Sequence, residues 1–138
     1  FTLSQFEQAV SDLHKRNIPV ITHLILGLPG ETKEDMLSSV RYVGSLPVTG
    51  IKLQLLHILK GTDLGTAYMA DPFPLFTLEE YCDLIADCIA PEIVIHRLTG
   101  DGPRNLLLAP LWSTDKKRVL NTIQKCLRER DLWQGKNI

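Results

Sequence analysis

The chain has 138 residues, 44% of them hydrophobic, with 15 basic and 16 acidic side chains that leave a net charge of −1. That length and apolar content suffice for a single domain with its own core, residues 1–138, while the near-neutral balance excludes a global field that would draw the chain to nucleic acid or an anionic membrane. No apolar run approaches the roughly 18 residues of a membrane span, no signal-peptide pattern opens the chain, and the three cysteines fall in predicted helices, so reduced thiols and a cytoplasmic setting are expected.

Thr2 and Gln5 have capping-box spacing, and Phe6, Ala9, Val10 and Leu13 follow at helical intervals, which predicts a helix ending near Arg16. Asn17 and Pro19 break it. Val20, Ile21, Leu24, Ile25 and Leu26 form an almost continuous apolar run, as in a parallel strand covered on both faces. After the turn Gly27-Leu28-Pro29-Gly30-Glu31, Thr32 and Asp35 cap a second helix with Met36, Leu37, Val40 and Val43 on its buried side. Ile51 to Leu59 reads as one strand, apolar at Ile51, Leu53 and Leu55 and polar at Lys52 and Gln54. Lys60 to Phe76 reads as a long loop. Thr77 and Glu80 cap a third helix carrying Leu78, Tyr81, Ile85 and Ile89, Pro91 precedes a short strand from Ile93 to Leu98, and a last helix spans about Asp115 to Arg130. Strands separated by helices, at roughly 30 to 40 residues, are the mark of right-handed βαβ units around a parallel sheet. The expected class is α/β, with about three parallel strands alternating with four helices, a fragment of a partial (β/α) barrel. Because barrel closure takes about eight strands, a missing N-terminal half or a second copy of the chain is expected to cover the open edges. The first residue, Phe1, points the same way, to a piece of a longer protein.

In parallel α/β proteins function gathers in the loops after the strands' C-terminal ends, which here share one rim. Gly27 to Glu31 can bring a ligand close to the backbone and present amides at a helix start, or serve only as a strand-to-helix turn; no phosphate-loop pattern accompanies it. The second loop adds Gln54, His57, Lys60, Thr62 and Asp63, where His57 and Lys60 suit a carboxylate or phosphate, or are solvated bystanders. His96-Arg97-Leu98-Thr99-Gly100-Asp101-Gly102-Pro103-Arg104 is the densest polar segment. Its arginines can fork onto an anion and Asp101 can take a proton or orient a ribose hydroxyl; an internal Arg-Asp pair bracing the turn fits equally. Cys82, Cys88 and Cys126 lack metal-ligand spacing and read as buried, unreactive thiols. His14 and His23 take structural readings, and Trp112 and Trp133 are expected to pack the last helix, with an exposed Trp112 as a channel wall the alternative.

Three segments in order, His23-Leu24-Ile25-Leu26-Gly27-Leu28-Pro29-Gly30-Glu31-Thr32, Lys52 to Thr62 and His96 to Arg104, followed by Ala109-Pro110-Leu111-Trp112, resemble radical S-adenosylmethionine (SAM) enzymes of the YtqA/YhcC branch, near the Elongator-type proteins. The resemblance covers nearly the whole chain and implies the C-terminal part of a partial barrel whose parent holds SAM and a [4Fe-4S] cluster at its rim and cleaves SAM to a 5′-deoxyadenosyl radical. It implies SAM contacts around Ile25, Gly27, Gly30 and Glu31, and a SAM or substrate role for Gln54, His57, Lys60, His96, Arg97, Asp101 and Arg104. The cluster cysteines of such enzymes have CxxxCxxC-type spacing, which does not occur in this sequence. The fragment alone is therefore expected to be inactive and to hold neither cofactor tightly. The partners implied are the upstream half of the same protein and tRNA, since members of the branch are connected with modification of wobble uridines, with no membrane; self-association through open sheet edges is a further expectation. Two other classes remain: an interaction module that binds RNA or protein through Lys60, Arg97 and Arg104, and a small α/β enzyme using His96 and Asp101 as acid and base.

Overall fold

A computed structural model describes residues 1–89, 94–100 and 102–133. In chain order it contains α1 (Leu3–Lys15), β1 (Ile21–Leu26), α2 (Lys33–Gly44), β2 (Gly50–Leu55), β3 (Ile58–Leu59), α3 (Asp63–Ala70), α4 (Leu78–Cys88), β4 (Val94–Arg97), β5 (Leu107–Ala109), a 3-10 turn (Leu111–Thr114) and α5 (Lys116–Glu129). The three capping boxes legible in the sequence all form: Thr2 with Gln5, Thr32 with Asp35, and Thr77 with Glu80. Each satisfies helix-start amides that have no partner within the helix.

Strands β1, β2 and β4 make one parallel sheet in the order β1-β2-β4, with Leu24 beside Leu53 and Ile51 beside Ile95. One face carries Leu24, Leu26, Ile51, Leu53 and Leu55, and α2, α4 and α5 close over it with Met36, Val40, Tyr81, Ile85, Val119 and Ile123. Full burial of an aliphatic side chain contributes about 1.5–3 kcal/mol, so this layer is the source of cohesion. Salt bridges across the outside join the same helices: Arg130 reaches Asp83 and Asp87 of α4, and Lys33 at the start of α2 reaches Asp87. Among the described residues both outer edges of the sheet are unpaired. The result is an arc of a (β/α) barrel.

Several expectations are corrected. Five α-helices form rather than four, because α3 occupies part of the segment read as a loop from Lys60 to Phe76. Thr62 starts it, accepting from the Gly65 amide and donating to the Leu59 carbonyl at 2.8 Å. The stretch Ile51–Leu59 is two strands: β2 stops at Leu55, and β3 leaves the parallel sheet to pair antiparallel with β5. Helix α1 buries only Val10 of its expected apolar stripe, and Leu13 stays exposed. Cys82 and Cys88 are buried as expected, but Cys126 is only half-buried. Trp112 packs at 5.8 Å from the Tyr81 ring and donates from Nε1 to the Phe76 carbonyl, whereas Trp133 is largely exposed. Pro91 and Ile93 lie outside the described residues, and the third strand is seen from Val94.

Candidate functional site

Among the described residues, no helix covers the second face of the three-stranded sheet. Alternation along β1 turns His23 and Ile25 to this side, and Ile25 is half exposed although it sits in the middle of a sheet pairing. On β2 the same alternation presents Lys52 and Gln54, both half-buried by their neighbours. On β4 the register slips between Ile51 and Lys52, so Ile51 faces Ile95 while Lys52 faces Arg97. Ile95 and Leu98 pack against the core, which turns the two residues between them, His96 and Arg97, away from it. The His96 ring then lies over Gly50, where an added Cβ would meet it at 2.4 Å.

This arrangement lines up three basic residue types in one register across all three strands: His23, Lys52 and Arg97. Gln54 stands one step nearer the rim, opposite Ile25, and its Nε2 lies 3.1 Å from His23 Nδ1. Neighbouring like charges on adjacent strands weaken a sheet. A face that keeps Lys52 beside Arg97 is chemically suited to an anion, a carboxylate or a phosphate, laid across it.

The rim loops behave differently from one another. Gly27 and Gly30 adopt positive φ, 88° and 80°, which shapes the turn after β1. Inside that turn the Glu31 carboxylate accepts from the Gly27 amide at 3.2 Å and the Leu28 amide at 3.0 Å. Glu31 thus braces its own loop and occupies two amides that the sequence offered to a ligand. Beside the turn, on the helix side, a cleft of about 460 Å³ opens between Gly27 to Glu31 and Phe73 to Phe76. His57 Nδ1 donates to the Leu55 carbonyl at 2.9 Å, and its ring fills the space beside Gly100 and Gly102, where added Cβ atoms would lie 3.2 and 3.3 Å away. It ties the end of β2 to the segment after β4. Arg104 donates to the Thr114 carbonyl at 2.7 Å. Lys60 is exposed beyond β3, its backbone amide held by the Leu106 carbonyl. Asp101 lies outside the described residues.

The structure therefore gathers Ile25, Gln54, His96 and Arg97 on one face, and it places Glu31, His57 and Arg104 in internal bonds. His23, which the sequence reads as structural, and Lys52, which it reads only as sharing a polar strand face with Gln54, stand on the same face as the first group. The signal for them was the alternation of each strand, but which polar residue stands beside which depends on register, and no local pattern gives that.

An iron–sulfur cluster needs converging thiolates. Cys82 and Cys88 sit in the core on α4, and burial, reinforced by Cys126 for the first and by Asp87 for the second, pushes their thiols up to about 11 and about 12. Burial also raises the Cys126 thiol on α5. Such thiols resist forming the thiolates a cluster requires, so the cysteines of this chain do not fit that group. Among the described residues no group of three or more His, Cys, Asp or Glu side chains is placed to hold a metal ion, and no helix is long and apolar enough to cross a membrane.

Comparison with known proteins agrees with this architecture. The chain is 40% identical over 134 residues to YtqA of Bacillus subtilis (strain 168), covering 95% of this chain and 42% of that protein. It is 30% identical over 137 residues to MJ0486 of Methanocaldococcus jannaschii, covering 96% and 42%. With YhcC of Escherichia coli (strain K12) the figures are 32% over 127 residues, 90% and 41%. The chain thus spans about two-fifths of the length of these relatives. In fold it is similar to the archaeal Methanocaldococcus infernus Elp3 with an N-terminal deletion, with a TM-score of 0.75 at 16% identity, over 97% of this chain and 32% of that one. Residues 48–129, more than half of the chain and including β2, β4 and the covering helices α4 and α5, match the Radical_SAM C-terminal domain, and the chain belongs to that family.

Proposed function

We propose that the chain is the C-terminal wall of a radical SAM enzyme, and that its uncovered sheet face lines the chamber in which the parent protein binds SAM and its substrate. The observation that carries this reading is the bare face itself. A three-stranded parallel sheet with helices on one side and a row of basic and amide side chains on the other is half of a chamber. The parent supplies the remaining strands and the [4Fe-4S] cluster, whose role when bound is to cleave SAM reductively to the 5′-deoxyadenosyl radical. In this chain Ile25 offers an apolar surface beside Gln54, and His23, Lys52 and Arg97 offer donors to a carboxylate or phosphate. The loop Gly27 to Glu31 forms the rim above them, its shape held by the Glu31 carboxylate rather than by ligand. The substrate we assign to the parent is a tRNA, acted on in the cytoplasm, and the upstream half of the same protein is the partner that covers the free edge of β1.

The test is anaerobic reconstitution of iron and sulfide into this chain and into the longer protein that contains it, followed by an assay for 5′-deoxyadenosine. Cluster formation and cleavage in the longer protein alone are expected. Lys52→Gln and Arg97→Gln in the longer protein should then raise the KM for SAM or substrate while the cluster's absorbance stays unchanged. Failure of both proteins to cleave SAM would sink the enzymatic reading and favour a binding module.

A further inference from the structure

A hollow of about 540 Å³ lies between the start of α4, the turn from Ala109 to Trp112 and the start of α5. It is separate from the uncovered face, since none of His23, Lys52, Gln54 and Arg97 lines it. Its walls include Tyr68 of α3, Phe76, Leu111 and Trp112. Two of the rings are held in place by the fold itself. Trp112 is fixed by its Nε1 bond to the Phe76 carbonyl and by the Tyr81 ring 5.8 Å away, and Tyr68 meets the Phe73 ring edge-on at 5.2 Å. Leu111 adds an aliphatic wall that the core does not use, with 66% of its surface exposed.

Two side chains of opposite charge line the same hollow, Glu79 in the first turn of α4 and Arg118 near the start of α5. Other opposite charges on these helices close into ion pairs: Lys33 with Asp87, and Arg130 with Asp83 and Asp87. Among the described residues Glu79 and Arg118 form no such pair, with each other or with a third group, and of Arg118 only the backbone is engaged, with Asp115 and Thr122. An anion placed here would meet Glu79 as well as Arg118, and a cation would meet Arg118 as well as Glu79. A ligand that carries both charges satisfies both. We infer that the hollow is a binding site for a zwitterion with a large apolar side chain, the chemistry of a free aromatic or branched aliphatic α-amino acid. The carboxylate takes the Arg118 fork, the ammonium takes Glu79, and the side chain lies against Tyr68, Phe76 and Trp112. The site stands on these residues alone and does not depend on the enzymatic reading.

The test titrates the 15N-labelled 138-residue chain with three probes that share one aromatic body: L-phenylalanine carries both charges, 3-phenylpropionate only the negative one and phenethylamine only the positive one. The readout is the indole N–H signal of Trp112, told apart from that of Trp133, the only other tryptophan, by a Trp133→Phe variant. Each charge-assisted hydrogen bond lost should weaken binding by roughly tenfold or more, so L-phenylalanine is expected to bind that much more tightly than either single-charge probe. Glu79→Gln should bring 3-phenylpropionate level with L-phenylalanine, and Arg118→Gln should do the same for phenethylamine. That crossed pattern is one a merely structural role for either residue would not produce. Equal binding of the three probes would reduce the site to an apolar patch and overturn the proposal. So would a Trp112 signal that none of them shifts in the millimolar range, or variants that weaken all three probes alike. Both substitutions are at exposed positions, and melting curves establish that each variant is folded.

Discussion

Gly50→Ala tests how closely β4 is held to the centre of the sheet, and so whether the uncovered face is a fixed surface. A Cβ at Gly50 would lie 2.4 Å from His96 Cδ2 and 2.7 Å from the Val94 carbonyl oxygen. The imidazole is exposed and can swing clear at little cost. The carbonyl cannot, because Val94 is the residue paired with Gly50 in the ladder. Reaching ordinary van der Waals separation requires the two strands to part by about 0.7 Å, which stretches the hydrogen bonds that join them. Overpacking of this kind costs about 1–3 kcal/mol, and alanine's smaller loss of backbone freedom offsets about 0.5–1 kcal/mol of it. The expected outcome is a net loss of about 1–2 kcal/mol, read as a urea midpoint lowered by roughly 0.5–1 M. Adding His96→Ala should restore little of it. A Gly50→Ala protein as stable as the parent would refute the close approach of β4 to β2. Full restoration by His96→Ala would place the clash on the ring and leave the strand backbones unconstrained.

Three further outcomes follow from the core. Tyr81→Phe removes the hydroxyl that donates to the Leu98 carbonyl at 2.8 Å and should cost about 1–2 kcal/mol in thermal or urea unfolding, with faster amide exchange after β4; an unchanged melt would mean the bond does not anchor that segment. In native protein a thiol reagent should modify Cys126 first and reach Cys82 and Cys88 only as fast as the protein unfolds, and prompt modification of all three would contradict their burial. The buried pair also sets a pH dependence: their folded values, about 11 and about 12, lie above the ordinary 9.0, so the unfolded chain loses these protons first. The stabilising contribution is complete below pH 9.0 and declines as the pH rises towards 12, which a series of melts should resolve as a falling midpoint over that window.

The parts of the fold that the sequence made legible are those decided within a few residues. A threonine followed three positions later by Gln, Asp or Glu forms a capping box from its own atoms, and all three such signals appear as helix starts. Helix α3 escaped because its cap, Thr62, is followed at that spacing by Gly65, which has no side chain to return the bond, and because Pro72 and Pro74 made the whole stretch look irregular. The break between β2 and β3 escaped for a different reason. His57 sits within an otherwise apolar run, and where the strand ends its ring packs beside Gly100 and Gly102, more than forty residues away in the chain. The candidate site divides along the same line. Gln54, His96 and Arg97 stood out as polar residues near strand ends and Lys52 as part of its strand's polar face, whereas His23 joined them only when the register set it beside Lys52, with Arg97 on the far side. Conversely, Glu31 and Arg104 looked available in the sequence and are occupied in the fold, since a carboxylate near two free amides and a guanidinium near a turn carbonyl find those partners first. A polar residue in such a strand therefore identifies a face, and only the pairing of that strand with its neighbours decides whether the face holds one charge or a row of them.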